Sequence, residues 1–366
     1  KLTIYCHQKS VILQVALFLI MCFIKQLKGE RMMDSIEDAI RLYYSGEIFE
    51  AESVLKAILQ EDPDNANALV RLAAIQKDLG RAEEAGKIYL KAAEIYEQEG
   101  HYEDSLNILE KASPVLKETL TAPLKGRCLF RLGRFAEALV NFIISPEDNQ
   151  NLFYIGKTYF HLEQYSNALR FFEKILSVTS AREEIFQACY WIGKSLYALG
   201  RIDDAISCFN RYISIYPGEK QAYLDLAVCY LNSGLLEEAR RSLSKYRDLG
   251  GEGQVVNFYL GIINYRLGNY KEAIALFKKV KSNEQALHWK GLAYYELGVY
   301  QNALKCFTRA AKYDQKPLYL KMMGNAYLKL GSFYEAKICY EKAFSLDPSD
   351  KNIEKLIEIS KTLLNF

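Results

Sequence analysis

From Pro317 to Asp350 the chain reads PLYLKMMGNAYLKLGSFYEAKICYEKAFSLDPSD, with apolar and small residues recurring at steps of three and four. That period marks one face of an α-helix, so the stretch predicts two amphipathic helices, a turn at Gly331 and a stop at Pro348. Leu320, Met323, Gly324 and Tyr327 share a face of the first helix, and Ala336, Tyr340 and Ala343 share a face of the second. Small residues at 324, 336 and 343 let the two backbones approach, and the aromatic rings fill the space beside them. Neither helix is expected to fold alone.

The same signature runs upstream. A first unit covers Asp34 to Asp64, with its turn at Gly46 and Ala51 on its second helix. A second starts at Asn65, turns at Gly80 and carries Ala85 and Tyr89 on a long helix that reaches Gln98. Further units are marked by Gly126, Gly133, Ala138 and Phe142; by Gly156, Tyr165, Ala168 and Phe172; and by Gly193, Gly200, Ala205 and Phe209. Later ones carry Ala227, Gly234 and Ala239; Gly261, Gly268, Ala273 and Phe277; and Gly291, Gly298, Ala303 and Phe307. Glu163 holds a turn position that glycine holds elsewhere. The second-helix alanines at 138, 168, 205, 239, 273, 303 and 336 fall at steps of 30 to 37.

This pattern resembles the tetratricopeptide repeat, a helix-turn-helix of about 34 residues. The resemblance covers the chain from Asp34 onward and implies an all-α, right-handed α-solenoid of stacked helix-turn-helix units. Ser349 to Phe366 is expected to form a capping helix, with Ile353, Leu356, Ile357, Ile359 and Leu363 apolar among charged neighbours.

The period fails once. Gly100 opens a helix over Tyr102 to Ala112 only twenty residues after Gly80, and Ser113-Pro114 stops it. Read from sequence, this adds one helix to an alternating series and either alters the curvature or marks a boundary between two stacks. Charge changes in the same place. Residues 32–110 hold 18 Asp/Glu against 7 Lys/Arg, net −11, whereas residues 111–366 hold 35 Lys/Arg against 26 Asp/Glu, net +9. The expected organisation is an apolar segment at 1–31, an acidic repeat block at 32–112, a second array at 113–348 and a cap at 349–366. The acidic block is either a solvated face or a surface for a basic partner, including the basic half of a second copy.

Val11 to Ile24 is an apolar run interrupted only by Gln14, flanked by Lys9, Lys25 and Lys28. It suits a signal-like core or a short membrane anchor, and an anchored chain would be a membrane-tethered envelope-assembly or secretion factor. Residues 1–31 also fit untranslated upstream sequence. Codons for Lys28-Gly29-Glu30 can spell a purine-rich bacterial ribosome-binding site just before Met32-Met33. Without the anchor, the expected location is cytoplasmic.

Composition narrows the chemistry. The 366 residues are 50% hydrophobic and 25% charged, with no Pro/Gly/Ser-rich linker between blocks, which suits a continuous stack. A net charge of +2 argues against a dedicated polyanion binder, and the 27 tyrosines suit aromatic helix contacts. The eight cysteines form no CxxC pair. Cys128, Cys208, Cys229, Cys306 and Cys339 recur in register with the repeat, so packing explains them better than metal or redox chemistry. No phosphate loop, GxSxG, HExxH or dinucleotide fingerprint occurs, and no cofactor is expected. The acidic pairs Glu83-Glu84, Glu183-Glu184, Asp203-Asp204 and Glu237-Glu238 are read as first turns of second helices, where they complement the helix dipole.

The chain is therefore expected to be a non-catalytic scaffold. The resemblance implies that first helices line a groove, presenting the stripe one residue beyond the buried glycines. On that stripe Arg127 and Phe130; Phe153, Lys157 and Phe160; and Tyr190, Lys194 and Tyr197 offer cations flanked by aromatics. Leu224, Val228, Phe258, Ile262, Tyr265, Leu292 and Tyr295 continue it as an apolar row. An acidic protein or peptide segment leading into a hydrophobic one complements both, whereas three cations fall short of the basic stripe that nucleic acid requires. The alternative reading is half-buried packing between adjacent first helices. Lys321 and Asn325 resemble the opening pair of a chaperone-tail clamp, but no repeats follow to complete it.

Overall fold

The computed structural model describes residues 35–114, 116–145, 148–281 and 283–364, and every regular element among them is an α-helix. The apolar N-terminal segment lies outside the described residues. The chain divides into two compact units between Ala188 and Cys189.

The first unit holds α1 (Ile36–Ser45), α2 (Ile48–Glu61), α3 (Ala66–Asp78), α4 (Ala82–Gln98), α5 (Tyr102–Ala112), α6 (Glu118–Arg131), α7 (Phe135–Ile144), α8 (Asn149–His161) and α9 (Tyr165–Val178). Helix α10 (Arg182–Ala198) carries the division within it. The second unit continues with α11 (Ile202–Ile215), α12 (Lys220–Asn232), α13 (Leu236–Asp248), α14 (Gly253–Arg266), α15 (Tyr270–Lys278), α16 (Glu284–Glu296), α17 (Tyr300–Tyr313), α18 (Pro317–Lys329), α19 (Phe333–Leu346) and α20 (Lys351–Leu364). Within each unit successive helices pack as antiparallel pairs, and each pair packs on the next.

One size rule closes every pair. A buried small residue on the first helix faces a buried large one sixteen positions later on the second. Gly126 faces Phe142, Gly156 faces Phe172, Gly193 faces Phe209, Gly261 faces Phe277, Gly291 faces Phe307 and Gly324 faces Tyr340. Where the small residue is alanine, the partner is usually smaller: Ala39 with Leu55, Ala93 with Leu109 and Ala227 with Leu243 occupy the same offset, although Ala73 stands with Tyr89. All these residues are buried, so the fixed volume between the backbones is shared out differently at each pair.

The same rule explains the twenty-residue interval. The added helix is present at Tyr102–Ala112, and it fits because one helix serves two pairs. Helix α4 supplies Tyr89 opposite Ala73 of α3, and it also supplies Ala93 opposite Leu109 of α5, all within one core cluster. It packs on α3, α5 and α6. Ser105 stands where other second helices carry alanine, and its hydroxyl donates to the Ala93 carbonyl at 2.7 Å.

Turns between paired helices use a left-handed residue. Gly331, with φ +77°, is representative, and its neighbour Ser332 donates its backbone N–H to the Tyr327 carbonyl at 2.9 Å. Glu163 is the exception: at φ +59° it is the one non-glycine residue of positive φ among the described residues. The closing bond from the Gln164 N–H to the Tyr159 carbonyl, at 2.9 Å, still forms. At the other end α20 buries Ile353 and Ile357 against Ala336, Tyr340 and Ala343, covering the face that the last pair would otherwise expose.

Candidate functional site

The first helix of each pair places three side chains in one row: three before, one after and four after its buried small residue. The row around Gly156 is Phe153, Lys157 and Phe160, all half-buried. The Lys157 ammonium lies 5.2 Å from the Phe130 ring centroid and 5.6 Å from that of Phe153, an arrangement that favours a cation over the ring faces. Phe130 itself is 9% exposed and packs edge-on against Phe135, Tyr154 and His161, so it supports Lys157 from below. Arg127 reaches Glu97 of α4, with Nε 3.3 Å from Oε1, and so ties α4 to α6.

In the second unit the row opens with Tyr190, Lys194 and Tyr197 on α10. Lys194 Nζ sits 5.1 Å from the Trp191 ring and 5.8 Å from the Tyr190 ring. The Tyr190 hydroxyl donates to Asp225 at 2.6 Å, and burial together with that carboxylate pushes its pKa up, so the phenol stays neutral. The Tyr197 hydroxyl accepts from the Asn232 amide at 2.7 Å. From α12 to α16 the row holds Leu224 and Val228, then Phe258, Ile262 and Tyr265, then Leu292 and Tyr295, without a formal charge. Ile262 is 5% exposed and belongs to the core, while the others are half-buried. Tyr265 packs edge-on against Trp289, and Tyr295 against Tyr300.

Sequence reasoning missed three members of this surface. Trp191 and Trp289 brace Lys194 and Tyr265, and His288 holds the position three before Gly291 that Tyr190 holds before Gly193. The row register could have found His288. The bracing tryptophans lie off the row and appear only when neighbouring helices pack.

Several other assignments acquire partners. Lys321 Nζ is 2.9 Å from Asp350 Oδ2, and the Asn325 amide oxygen accepts from the Tyr340 hydroxyl at 2.7 Å. Both members of the clamp-like pair are thus tied into the fold. Glu183 and Glu184 open α10, a first helix rather than the second helix expected, and Glu184 accepts from the Asn149 amide at 2.8 Å. The described cysteines are free thiols, buried or half-buried, and burial pushes Cys229 up to about 12. Among the described residues no group of three or more His, Cys, Asp or Glu could hold a metal ion, and no helix is long and apolar enough to cross a membrane.

Family comparison agrees with this architecture. Tetratricopeptide repeat patterns match residues 42–96, 196–252, 256–284, 284–317 and 321–350. The chain belongs to the tetratricopeptide repeat family. Residues 140–212 also match the family described as anaphase-promoting complex, cyclosome, subunit 3. No curated protein sequence matches the chain. Among solved structures, the anaphase-promoting complex hetero-tetramer Cut9-Hcn1 aligns over 97% of this chain and 95% of that one, at 14% identity and a TM-score of 0.51. The MamA protein aligns over 46% of this chain and 96% of its own, at 21% identity and a TM-score of 0.39. A MamA fragment from Desulfovibrio magneticus RS-1 aligns over 45% and 93%, at 24% identity and a TM-score of 0.41. Tetratricopeptide repeat proteins are generally non-catalytic, and the repeats of this chain support a protein-interaction scaffold.

Proposed function

We propose that the row of first-helix side chains from Tyr190 to Tyr295 binds a protein segment in which acidic residues lead into apolar ones. One observation carries this reading: a lysine held over two aromatic faces, 5.1 and 5.8 Å from their centroids, begins a row that then runs through three helices without a formal charge. An acidic side chain would gain charge-assisted hydrogen bonds at Lys194, and the apolar part would bury against Leu224, Phe258, Tyr265 and Tyr295. Tyrosines suit such a surface, because each offers a broad ring with little side-chain entropy to lose and a hydroxyl for a polar backbone. In the first unit Lys157, seated over Phe130 and Phe153, forms a second station of the same kind.

Fluorescence anisotropy with labelled peptides tests it. A peptide with an Asp/Glu run followed by Leu and Phe should bind the full chain, and its reversed or scrambled forms should bind more weakly. Lys194→Ala should weaken binding and flatten its salt dependence, and Tyr265→Ala should weaken it at all salt concentrations. Equal binding of direct and scrambled peptides, or no loss in either variant, would exclude this surface.

A further inference from the structure

His288 stands in the apolar stretch of the row, three positions before Gly291, where the preceding first helices carry Tyr190, Leu224 and Phe258. Its half-buried ring lies among Trp289, Phe307 and Tyr319, with centroids 5.9, 6.2 and 5.5 Å away. Nδ1 is buried and meets no hydrogen-bond partner among the described residues. A neutral imidazole can keep a bare nitrogen in such a place. Protonation puts a hydrogen on both nitrogens, and the one on Nδ1 would be buried without an acceptor.

Little around the ring compensates that charge. Glu284, one turn earlier on α16, favours the proton, but it already accepts from Lys316 of α18 at 2.6 Å and from the Tyr319 hydroxyl. Helix α17 presents Phe307, and the thiol of the preceding residue, Cys306, is kept neutral by burial. Helix α14 carries uncharged Phe258 at the matching position, and Lys278 of α15 stands beside Leu287 and Lys290, where a cation adds nothing that favours a second positive charge. Burial accordingly pulls the His288 pKa below its ordinary value, with Glu284 opposing in part.

The next step rests on the row being a binding surface. We propose that His288 makes this surface acid-sensitive: the neutral ring packs beneath the apolar part of the bound segment, and protonation of the ring releases that segment. An apolar residue laid over the ring removes the water that would solvate an imidazolium, so the bound state resists the proton more than the free state does. The acidic part of the segment sits at Lys194, three first helices away. At usual helix spacings that is on the order of 25–30 Å, beyond the Debye length of about 10 Å, so its attraction for the imidazolium is screened. Affinity is therefore full above pH 6.5 and falls as the pH drops through the pKa of the free protein's ring.

Proton NMR of the imidazole rings of the full chain reads this linkage directly, with His288→Phe assigning one resonance among the four histidines. Adding the peptide with an Asp/Glu run followed by Leu and Phe should move the His288 titration to lower pH. In fluorescence anisotropy, wild-type affinity for that peptide should fall between pH 7.5 and 5.0 by about threefold or more beyond any fall seen with His288→Phe. Taking the ratio to the variant cancels titration of the peptide's own carboxylates. Absence of binding at pH 7.5 would remove the row as a binding surface and the acid response with it. Binding at pH 7.5 with the His288 titration unmoved or raised, or with the same pH ratio in both proteins, would overturn the acid response alone.

Discussion

A Cβ built on Gly324 would lie 2.5 Å from Cε1 of Tyr340. The ring cannot step aside, because Tyr340 is fully buried and its hydroxyl is fixed to the Asn325 amide oxygen at 2.7 Å. Gly324→Ala should therefore destabilise the last repeat by about 1–3 kcal/mol, an overpacking cost, despite alanine's higher helix propensity. Adding Tyr340→Leu should recover part of the loss, since Ala93 with Leu109 and Ala227 with Leu243 already fill this offset. Urea titration followed by circular dichroism reads both effects, and additive losses in the double variant would show that the pair is not coupled.

Glu163 occupies a backbone conformation, φ +59°, that the other turns between paired helices give to glycine. An L residue pays about 1–2 kcal/mol there. Glu163→Gly should raise stability by about 1 kcal/mol, the relief of strain exceeding the extra entropy of the unfolded chain. A lower thermal midpoint for the variant would mean that the Glu163 side chain contributes something the turn needs.

Leu109 is fully buried on the helix that shares α4 with the preceding pair. Leu109→Ala should cost about 2–5 kcal/mol. Because Tyr89 and Ala93 stand on one helix, hydrogen exchange should speed up in α3 and α4 as well as in α5. Faster exchange confined to α5 would show that the two pairs are energetically separate.

His288 is packed among Trp289, Phe307 and Tyr319, and its Nδ1 is buried with no hydrogen-bond partner among the described residues. Burial pulls its pKa below the ordinary value of 6.5, with Glu284 opposing in part. Above 6.5 the ring is neutral in both states and contributes no pH dependence. Below 6.5 the unfolded chain takes up a proton that the folded ring resists, so stability falls with falling pH through the folded-state pKa. His288→Phe should flatten this slope between pH 7 and 5. The test is a comparison of urea midpoints for the two proteins across that window, and parallel curves would exonerate His288.

Cys229 is buried, and its thiol is pushed up to about 12 by desolvation and by nearby Asp225. The thiolate is the reactive form, so an alkylating reagent at pH 8 should modify Cys229 in the native protein far more slowly than in urea. Rapid native-state labelling, located by mass spectrometry, would contradict its burial.

The sequence by itself determined the local parts of this protein. Helix faces, the turn at Gly331, the departure at Glu163 and the cap from Ile353 to Ile357 follow from spacing within one or two helices, where the period of apolar residues and the demands of a left-handed turn act directly. Tertiary structure decided what depends on neighbours. Whether a ring such as Phe130 or a side chain such as Ile262 reaches solvent is set by the helices packed beside it, which bury these two and leave Phe153 and Tyr265 half open. Only packing revealed that α4 belongs to two pairs, because its small and large positions, Ala93 and Tyr89, are distinguished by what they face. In sequence Lys321 and Asn325 resemble the opening pair of a clamp, and only the fold ties them to Asp350 and Tyr340.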